Sequence, residues 1–462
     1  MLLALVFLLA QQQASREPPE QPPPQQQQPQ SDAELQKQLE EAIKADQQGA
    51  QKKGQAEQPS PPAPEPAVSG TSGAARPSSA PQTARGTQSL NPDISVILDG
   101  DLGWERRAPQ FLNGDDPDLH GDVTHALGLT AQEVELAASA IVDPFFRGDV
   151  FLTIPNLEGI EVEEAFITTT SLPWNLQVKG GSFRSAFGRQ NGQHLHVQDF
   201  TRRPLINAAF LGADGMRGPG LQISWLAPLP FFLTLYGEAF SLRSDPVATG
   251  GPVPEPVPSF GSDGAQRPTL AAEAKLFFPF GDEWSLFSGL NFASGESPGI
   301  AVAPGNTVGA GRQTQLFGAD MYLKWKPANV ARGYTSVAFQ AEAVVRHLAE
   351  GGGLPGDWDG GAYAQVVWQL ARQWFLGVRG DLIGLPEGQL TARTARGALS
   401  LTWQASEFAR VRGYAEMEKG NISSDVGSLP APALSSLVSP SWAPAAFVQV
   451  EFSIGAHGAH PF

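Results

Sequence analysis

The sequence contains no cysteine among its 462 residues. This excludes a disulfide framework, a thiolate metal site and a cysteine nucleophile. Long apolar runs are also missing, because none reaches the roughly 18 residues that a membrane-spanning helix needs; a helical membrane protein is therefore excluded. Basic residues are few, with 31 Lys and Arg against 47 Asp and Glu and a formal net charge of -16. This balance argues against a nucleic-acid partner, whose phosphates require basic patches.

The amino-terminal stretch MLLALVFLLA is apolar and has the length of a signal-peptide core rather than of a membrane span. The small residues Ala14 and Ser15 follow it. We therefore expect residues 1–15 to be a signal peptide and the protein to be exported through an inner membrane.

Residues 16–92 are rich in Pro and Gln and cannot bury a core, so we expect a disordered periplasmic segment. A short helix over 31–46 interrupts it. Ser31 and Glu34 fit a capping box there, and apolar residues follow at helical spacing. Two interpretations are open: a coiled-coil handle or a lone marginal helix. The lone helix is favoured because the pattern falls short of the three to four heptads that a coiled coil requires.

From Asp93 onwards, segments of roughly nine to eleven residues alternate apolar and polar side chains, which is typical of strands with one face in lipid. In DISVILDGDLGW, Ile94, Val96 and Leu98 share one face, and Asp99 lies on the other. The stretch FVQVEFSI near the carboxyl end has the same alternation, and we expect it to pair with the first strand. Counting in this way gives about sixteen segments, an even number within the range of membrane barrels.

The connections between these segments fall into two length classes. Short links marked by Pro or Gly alternate with long segments near 105–131, 186–219, 243–268, 293–313, 347–360 and 418–446. Tryptophans cluster at segment ends, where interfacial aromatic girdles lie. Residues 93–462 are therefore predicted to form an all-β, up-and-down antiparallel transmembrane β-barrel of about 16 strands, with both termini in the periplasm. The alternative is a soluble all-β fold, whose turns need not sort by length.

Part of the chain resembles a known family. The resemblance rests on NPDISVILDG, EVEEAFITTT, LQVKGGSFRSAFGRQNGQHLHVQDF and FLGADGMRGPGLQISWLAP, all before residue 229. These stretches resemble a porin-like outer-membrane family of myxobacteria and other delta-proteobacteria, often labelled zinc-regulated TonB-dependent outer-membrane receptor, and more distantly the phosphate-selective porins. The resemblance implies the outer membrane of a Gram-negative bacterium and passage of small solutes. TonB-dependent receptors resemble a 22-stranded barrel with a folded plug. The low-complexity segment before this barrel leaves no room for a plug, so an open or loop-constricted pore fits better.

Charged side chains on the inward faces are candidate pore-lining residues, since channels select solutes electrostatically. The acidic candidates are Asp99, Glu133, Glu135, Asp149, Glu161 and Glu163, and the basic ones are Lys324, Arg346, Arg379, Arg410 and Arg412. On a closed cylinder the two groups should lie on partly opposing walls and create a transverse field. The alternative is that these charges pair with their strand neighbours.

The loop sequence GRQNGQHLHVQDF contains a candidate metal site. His194 and His196 are two apart on an extended chain and project from one face, and Asp199 is near; imidazoles and a carboxylate could hold zinc. The alternative is that this loop folds into the barrel, with its side chains hydrogen-bonded against the wall. No other cofactor is expected.

One short motif matches the active-site turn of serine hydrolases. Gly295–Gly299 reads GESPG and matches a G-x-S-x-G nucleophile elbow, but the residue after the serine is Pro298, which has no N–H to donate to an oxyanion. We therefore expect that the protein is not an enzyme.

The leading function is a porin-like channel for passive or weakly selective diffusion of small hydrophilic solutes or ions; the alternative is an uptake receptor or channel for zinc or a metal chelate. Expected partners are outer-membrane lipid, these solutes and the barrel assembly machinery, which in similar proteins reads an aromatic near the end, here Phe452 or Phe462. The sequence leaves open whether the protein is a monomer or a homotrimer.

Overall fold

The computed structural model describes most of the chain from Pro92 onwards. The described residues are 92–105, 128–155, 157, 159–212, 215–243, 247–248, 259–261, 267–303, 306–328, 334–352, 354–386, 391, 393–421 and 442–455. The predicted signal peptide 1–15, the segment 16–91 with its helix 31–46, and the carboxyl-terminal Phe462 lie outside the described residues, so those statements stay predictions. No helix within the described ranges is long and apolar enough to cross a membrane.

Sixteen strands of the described chain form one sheet that closes on itself. They are β1 (Asp93–Glu105), β2 (Gly128–Asp143), β3 (Phe146–Pro155), β4 (Glu161–Thr169), β5 (Leu176–Arg184), β6 (Arg217–Leu226), β7 (Phe232–Phe240), β9 (Thr269–Phe280), β10 (Trp284–Glu296), β13 (Gln313–Trp325), β14 (Ser336–Leu348), β15 (Asp357–Ala371), β16 (Trp374–Ile383), β17 (Arg393–Ser406), β18 (Ala409–Asn421) and β19 (Ala443–Gly455). Three short strands, β8 (Val247–Ala248), β11 (Ile300–Ala303) and β12 (Asn306–Val308), form a separate small sheet.

The barrel follows chain order and closes where the first strand meets the last. Each barrel strand is antiparallel to the barrel strand that follows it, and β1 pairs with β19, with Val96 opposite Ile454 and Leu102 opposite Val448. This confirms the prediction of a 16-strand, up-and-down antiparallel barrel. It also confirms the pairing of the closing stretch with the first strand.

Alternation along each strand separates an apolar outer face from a polar inner one. In β1, Ile94 and Leu102 are exposed on the outside, whereas Asp99 and Asp101 are buried on the inside. In β2, Leu136 is exposed and its neighbour Glu135 is only 1% exposed. Side chains point alternately to the two faces of a strand. A sequence that alternates apolar and polar residues therefore places apolar side chains outside and polar or charged ones inside, all around the wall.

Tryptophans mark both rims of the barrel. At the rim with the short turns, Trp284 and Trp325 lie opposite each other on β10 and β13 with ring centroids 6.4 Å apart, and a second cross-strand pair joins β16 and β17. At the rim with the long loops, Trp104 and Trp358 are exposed near strand ends. Amphipathic rings of this kind form belts at the membrane–water interfaces.

The connection between β5 and β6 turns into the barrel, and we call its described residues, 185–212 and 215–216, the inner loop. It contains a short 3₁₀ turn, Leu195–Val197, and a π-helical turn, Asn207–Leu211. Leu205, Ile206 and Phe210 are at most 1% exposed and form an apolar core with residues of the barrel wall. The interior is therefore partly apolar, which the alternation of the strands did not predict.

Two glycines on the inner face of the wall make room for aromatic rings of the inner loop. A Cβ on Gly318 of β13 would lie 2.8 Å from Phe187, and one on Gly377 of β16 would lie 2.9 Å from Phe200. Both rings are almost fully buried. The absence of a side chain at these two wall positions thus fixes where the inner loop lies against β13 and β16.

Candidate functional site

The first part of the inner loop is held to the wall through its own backbone amides. The N–H of Gly188 donates to Asn291 Oδ1 of β10 at 3.0 Å, and the N–H of Gln190 donates to Glu342 Oε1 of β14 at 2.8 Å. Both acceptors are buried. Wall side chains therefore supply the hydrogen bonds that an irregular segment cannot make within itself.

The middle of the inner loop is held by what we call the arginine clamp, Arg379 and Asp381 of β16. Arg379 donates Nη1 to the carbonyl of Arg202 at 2.7 Å and Nη2 to that of Arg203 at 3.3 Å. Its Nε donates to Asp381 Oδ2 at 3.0 Å. The other oxygen of Asp381 accepts the N–H of Leu205 at 3.0 Å. The clamp thus binds both donors and acceptors of the loop backbone.

Two arginines of β18 bind the same loop closer to its histidines. Arg412 donates to the carbonyl of Gln198 at 2.6 Å and to Gln449 Oε1 at 2.8 Å. Arg410 donates to the carbonyl of His196. These contacts match the alternative in which the loop folds into the barrel against the wall. Together with the arginine clamp, they show that three basic candidates for pore lining bind the inner loop: Arg379, Arg410 and Arg412.

The remaining candidates differ in exposure and in partners. Arg346 is fully buried and pairs with Asp359 of β15, Nη2 to Oδ2 at 2.6 Å. The candidates that are buried are Asp99, Glu135, Asp149, Glu163, Arg346, Arg379 and Arg412; Glu133, Lys324 and Arg410 are half-buried, and Glu161 is exposed. Only some of the strands that carry basic candidates lie across the barrel from the strands that carry the acidic ones. Strands β13 and β14 lie across the barrel from β1–β4, but β18 is only two strands from β1.

His194 and His196 meet carboxylates of β2 and β4, and we call this group of five the His–Glu cluster: Glu133, Glu135, Glu163, His194 and His196. His194 Nδ1 is 3.2 Å from Glu135 Oε2 and 3.1 Å from Glu163 Oε2. His196 Nδ1 is 3.1 Å from the same oxygen of Glu135. One ligating atom from each of Glu135, His194 and His196 lies within 4.8 Å of the others, and the same holds for Glu133, Glu135 and Glu163.

The carboxylates around His194 set its protonation. Burial alone would lower the pKa of this imidazole, but the negative charge of Glu163 and hydrogen bonds with Glu135, Glu163 and Glu164 hold the pKa well above its ordinary value. Its Nε2 is 3.0 Å from Glu164 Oε1. Arg184 of β5 is the neighbouring cation, paired with Glu163 and 3.8 Å from Glu164. The environment therefore favours a positive charge at the position of His194.

Asp199 lies apart from this cluster, contrary to the sequence-based expectation that it would join the two histidines. The residue has accessible surface, but desolvation by the surrounding protein raises the pKa of its carboxyl group, against the effect of Arg412, Arg410, Arg189 and Lys324. Two of these cations belong to β18, one to β13 and one to the inner loop. Asp199 thus lies among positive charges inside the closed wall.

An aromatic row crosses the inner face near the rim with the short turns. Phe232, Phe277, Phe287 and Tyr322 are register neighbours on β7, β9, β10 and β13, with ring centroids 5.8, 4.5 and 6.1 Å apart. Arg189 of the inner loop lies 4.0 Å from the centroid of Tyr322. A cation over an aromatic face is stabilising, so the row and the arginine form one surface.

Sequence reasoning missed the loop's own arginines. Arg202 pairs with Glu416 of β18 and lies over Phe447, and Arg189 lies against the aromatic row. A TRRP run inside a long loop ordinarily indicates a solvated segment. Nothing in this run indicated its buried partner, Glu416 of β18, which is 214 residues away from Arg202.

These observations define the class: a closed, 16-stranded, up-and-down β-barrel with an apolar outer surface and an inner loop. The fold is similar to that of the outer-membrane channel DcaP of Acinetobacter baumannii, with a TM-score of 0.50, 11% identity, and coverage of 79% of this chain and 97% of that one. The anion-selective porin from Comamonas acidovorans aligns with a TM-score of 0.48 and 10% identity over 79% of this chain and 99% of that one.

No family model matches the chain. A protein of Aquifex aeolicus (strain VF5) described as "Uncharacterized protein" is 31% identical over 408 residues, which cover 80% of each chain. The chain belongs to the family of that Aquifex protein. The resemblance to the myxobacterial family stays a prediction.

Proposed function

We propose that this protein is a porin-like channel through which small hydrophilic solutes and ions diffuse passively, with weak selectivity, across the outer membrane of a Gram-negative bacterium. The observation that carries the proposal is the charged surround of Asp199, a residue with accessible surface inside the closed wall whose positive neighbours belong to β13, β18 and the inner loop. Water that reaches this depth gives solutes a polar route. The inner loop narrows that route.

The outer surface supports the proposed location. Exposed apolar side chains cover the outside of the strands, and tryptophans lie at both rims. Such a surface is stable in lipid and not in water. An even number of strands brings both ends of the barrel to the rim with the short turns, which in this proposal faces the periplasm. Lipid and the barrel assembly machinery are then the expected partners, and a homotrimer is one assembly to test by cross-linking.

The accessible charges favour a weak preference for anions. Arg189, Lys324 and Arg410 are half-buried cations around Asp199, with Arg410 also paired with Glu451, whereas the acidic residues of β2 and β4 are largely occupied by His194 and Arg184. Rings of like charge lining a pore select ions of the opposite sign. Because Asp199 offsets part of the positive charge, the expected selectivity is modest.

Planar-bilayer recording of the purified full-length protein tests the proposal. We expect steady open steps in KCl, with the reversal potential under a salt gradient displaced towards the chloride potential. Persistent silence of protein that is folded, as shown by heat-modifiable gel migration, would contradict a passive channel.

A metal-uptake receptor is a second candidate, favoured by the His–Glu cluster alone. It predicts electrical silence in the absence of an energy-coupling partner and capture of zinc or a metal chelate from the medium. Conductance and metal capture therefore distinguish the two functions.

A further inference from the structure

We propose that Glu135, Glu163, His194 and His196 bind a divalent transition-metal ion of the zinc type, and that this ion is a permanent structural tie between the inner loop and the wall. The two histidines belong to the loop, and the two carboxylates belong to β2 and β4. A single ion bound by all four would therefore join three separate segments of the chain.

The first argument is geometric. In a tetrahedral zinc site with metal–ligand distances of about 2.0–2.2 Å, neighbouring ligand atoms are about 3.3 Å apart. The ligand atoms here are 3.2 Å apart for His194 and Glu135, 3.1 Å for His194 and Glu163, and 3.1 Å for His196 and Glu135. Each of these three distances equals a tetrahedral edge to within a few tenths of an ångström, and the ligand atoms of Glu135, His194 and His196 all lie within 4.8 Å of one another; Glu163 would complete the set as the fourth ligand. An ion could enter with small side-chain rotations.

The second argument is charge. Four carboxylates converge here, those of Glu133, Glu135, Glu163 and Glu164, and the basic side chain that pairs with them from the wall is Arg184. Three carboxylate oxygens within 4.8 Å of one another, two of them from buried residues, repel one another strongly, and His194 and Arg184 offset only part of this repulsion. A divalent ion supplies two positive charges at the required position.

The donor types indicate which ion. Two imidazole nitrogens with carboxylate oxygens suit zinc and its first-row neighbours, whereas calcium and magnesium prefer oxygen ligands throughout. The nitrogen atoms are Nδ1 of His194, the residue that precedes the short 3₁₀ turn, and Nδ1 of His196 within that turn. Zinc is therefore the probe of choice.

Burial indicates that the ion is resident rather than cargo. Glu135 is 1% exposed, Glu163 6% and His196 7%. Conduction requires binding weak enough for release, commonly at several successive sites. An enclosed set of four donors would bind tightly and release slowly, so we assign it to fastening the loop. This assignment does not depend on whether the barrel conducts.

The test uses the full-length protein, stripped with EDTA, dialysed and titrated with ZnCl2. Calorimetry and elemental analysis are compared for the wild type, the double variant His194→Asn/His196→Asn, and the control His347→Asn, whose histidine stacks on Trp358 away from the cluster. Removing a group that only hydrogen-bonds to a metal ligand already lowers metal affinity about 10–100-fold, and removing a ligand should lower it at least as much. We therefore expect the double variant to bind one fewer zinc, or to bind it about 100-fold or more weakly, while the control matches the wild type.

X-ray absorption at the zinc edge should show imidazole ligands in the wild type, and zinc should slow proteolysis of the inner loop in the wild type and not in the double variant. Equal zinc binding by folded double variant and wild type would overturn the proposal. So would a zinc spectrum without imidazole, or tight binding of calcium in place of zinc. Because binding is measured without conductance, failure of the metal site leaves the proposed channel to its own bilayer test.

Discussion

Replacing Arg379 with alanine should release the inner loop from β16. The substitution removes two hydrogen bonds from a charged guanidinium to the carbonyls of Arg202 and Arg203, and it removes the nearer cation of Asp381, which keeps Arg396 at 3.7 Å. Hydrogen bonds to charged groups contribute about 1.5–3 kcal/mol each. Breaking a buried ion pair by removing one partner costs about 3–5 kcal/mol. We expect the docked state of the loop to lose about 3 kcal/mol or more.

Limited trypsin digestion measures this loss directly. Arg202 and Arg203 are 1% and 4% exposed in the docked loop, so the bond between them is protected. Cleavage follows the population of the undocked state when docking is fast. Since 1.4 kcal/mol is a factor of ten, a loss of about 3 kcal/mol should accelerate cleavage at this bond about 100-fold. Sequencing of the new amino terminus identifies the site.

The matched control is Arg147→Ala on β3. Arg147 also pairs with a carboxylate of its own strand, Asp149, at 2.8 Å, but its side chain is 52% exposed. Asp149 is buried, but Arg147 binds Asp149 and Ser139 of the wall rather than the inner loop, so the cleavage rate should change by less than about fivefold. If folded Arg379→Ala is digested at the rate of this control, the clamp does not hold the loop and the reasoning is wrong.

Two further predictions concern the loop and the lumen. Gly377→Ala places a Cβ 2.9 Å from Phe200, and overpacking of about 1–3 kcal/mol should speed digestion of the loop about five- to 150-fold; Gly380→Ala, with open space at the added atom, should leave the rate unchanged. Lys324→Ala should shift the reversal potential away from the chloride potential, whereas Asp199→Asn should shift it towards chloride. Equal shifts in the same direction would contradict the assignment of both residues to the solvent-accessible lumen.

The strands of the wall could be predicted from the sequence because the alternation of inward and outward side chains depends only on neighbouring residues. Whether Leu136 faces out and Glu135 faces in follows from their positions in a strand of period two, whatever the rest of the chain does. Register and closure follow from the same rule together with loop lengths. The number of strands and the pairing of β1 with β19 were therefore predictable from composition along the chain.

The path of the inner loop was not predictable, because its partners are distant in sequence. Thr201 contacts Gln449, 248 residues away, and His194 meets Glu135, 59 residues away. The sequence indicated that two histidines share a face. It could not indicate which carboxylates of which strands lie opposite that face; these are Glu135 and Glu163, whereas the charged neighbours of Asp199 are basic.

The roles of the buried arginines also differ from the prediction for a physical reason. An irregular loop inside a barrel has backbone carbonyls that no helix or sheet satisfies, and each would cost free energy if left unpaired. The wall charges of Arg379 and Arg412 meet that need by donating to three carbonyls of the loop. Substituting them should therefore change the shape of the pore first and its ion selectivity only through that shape. In the proposed channel, we therefore expect selectivity to depend on the half-buried cations around Asp199, and the buried charges to hold the inner loop against the wall.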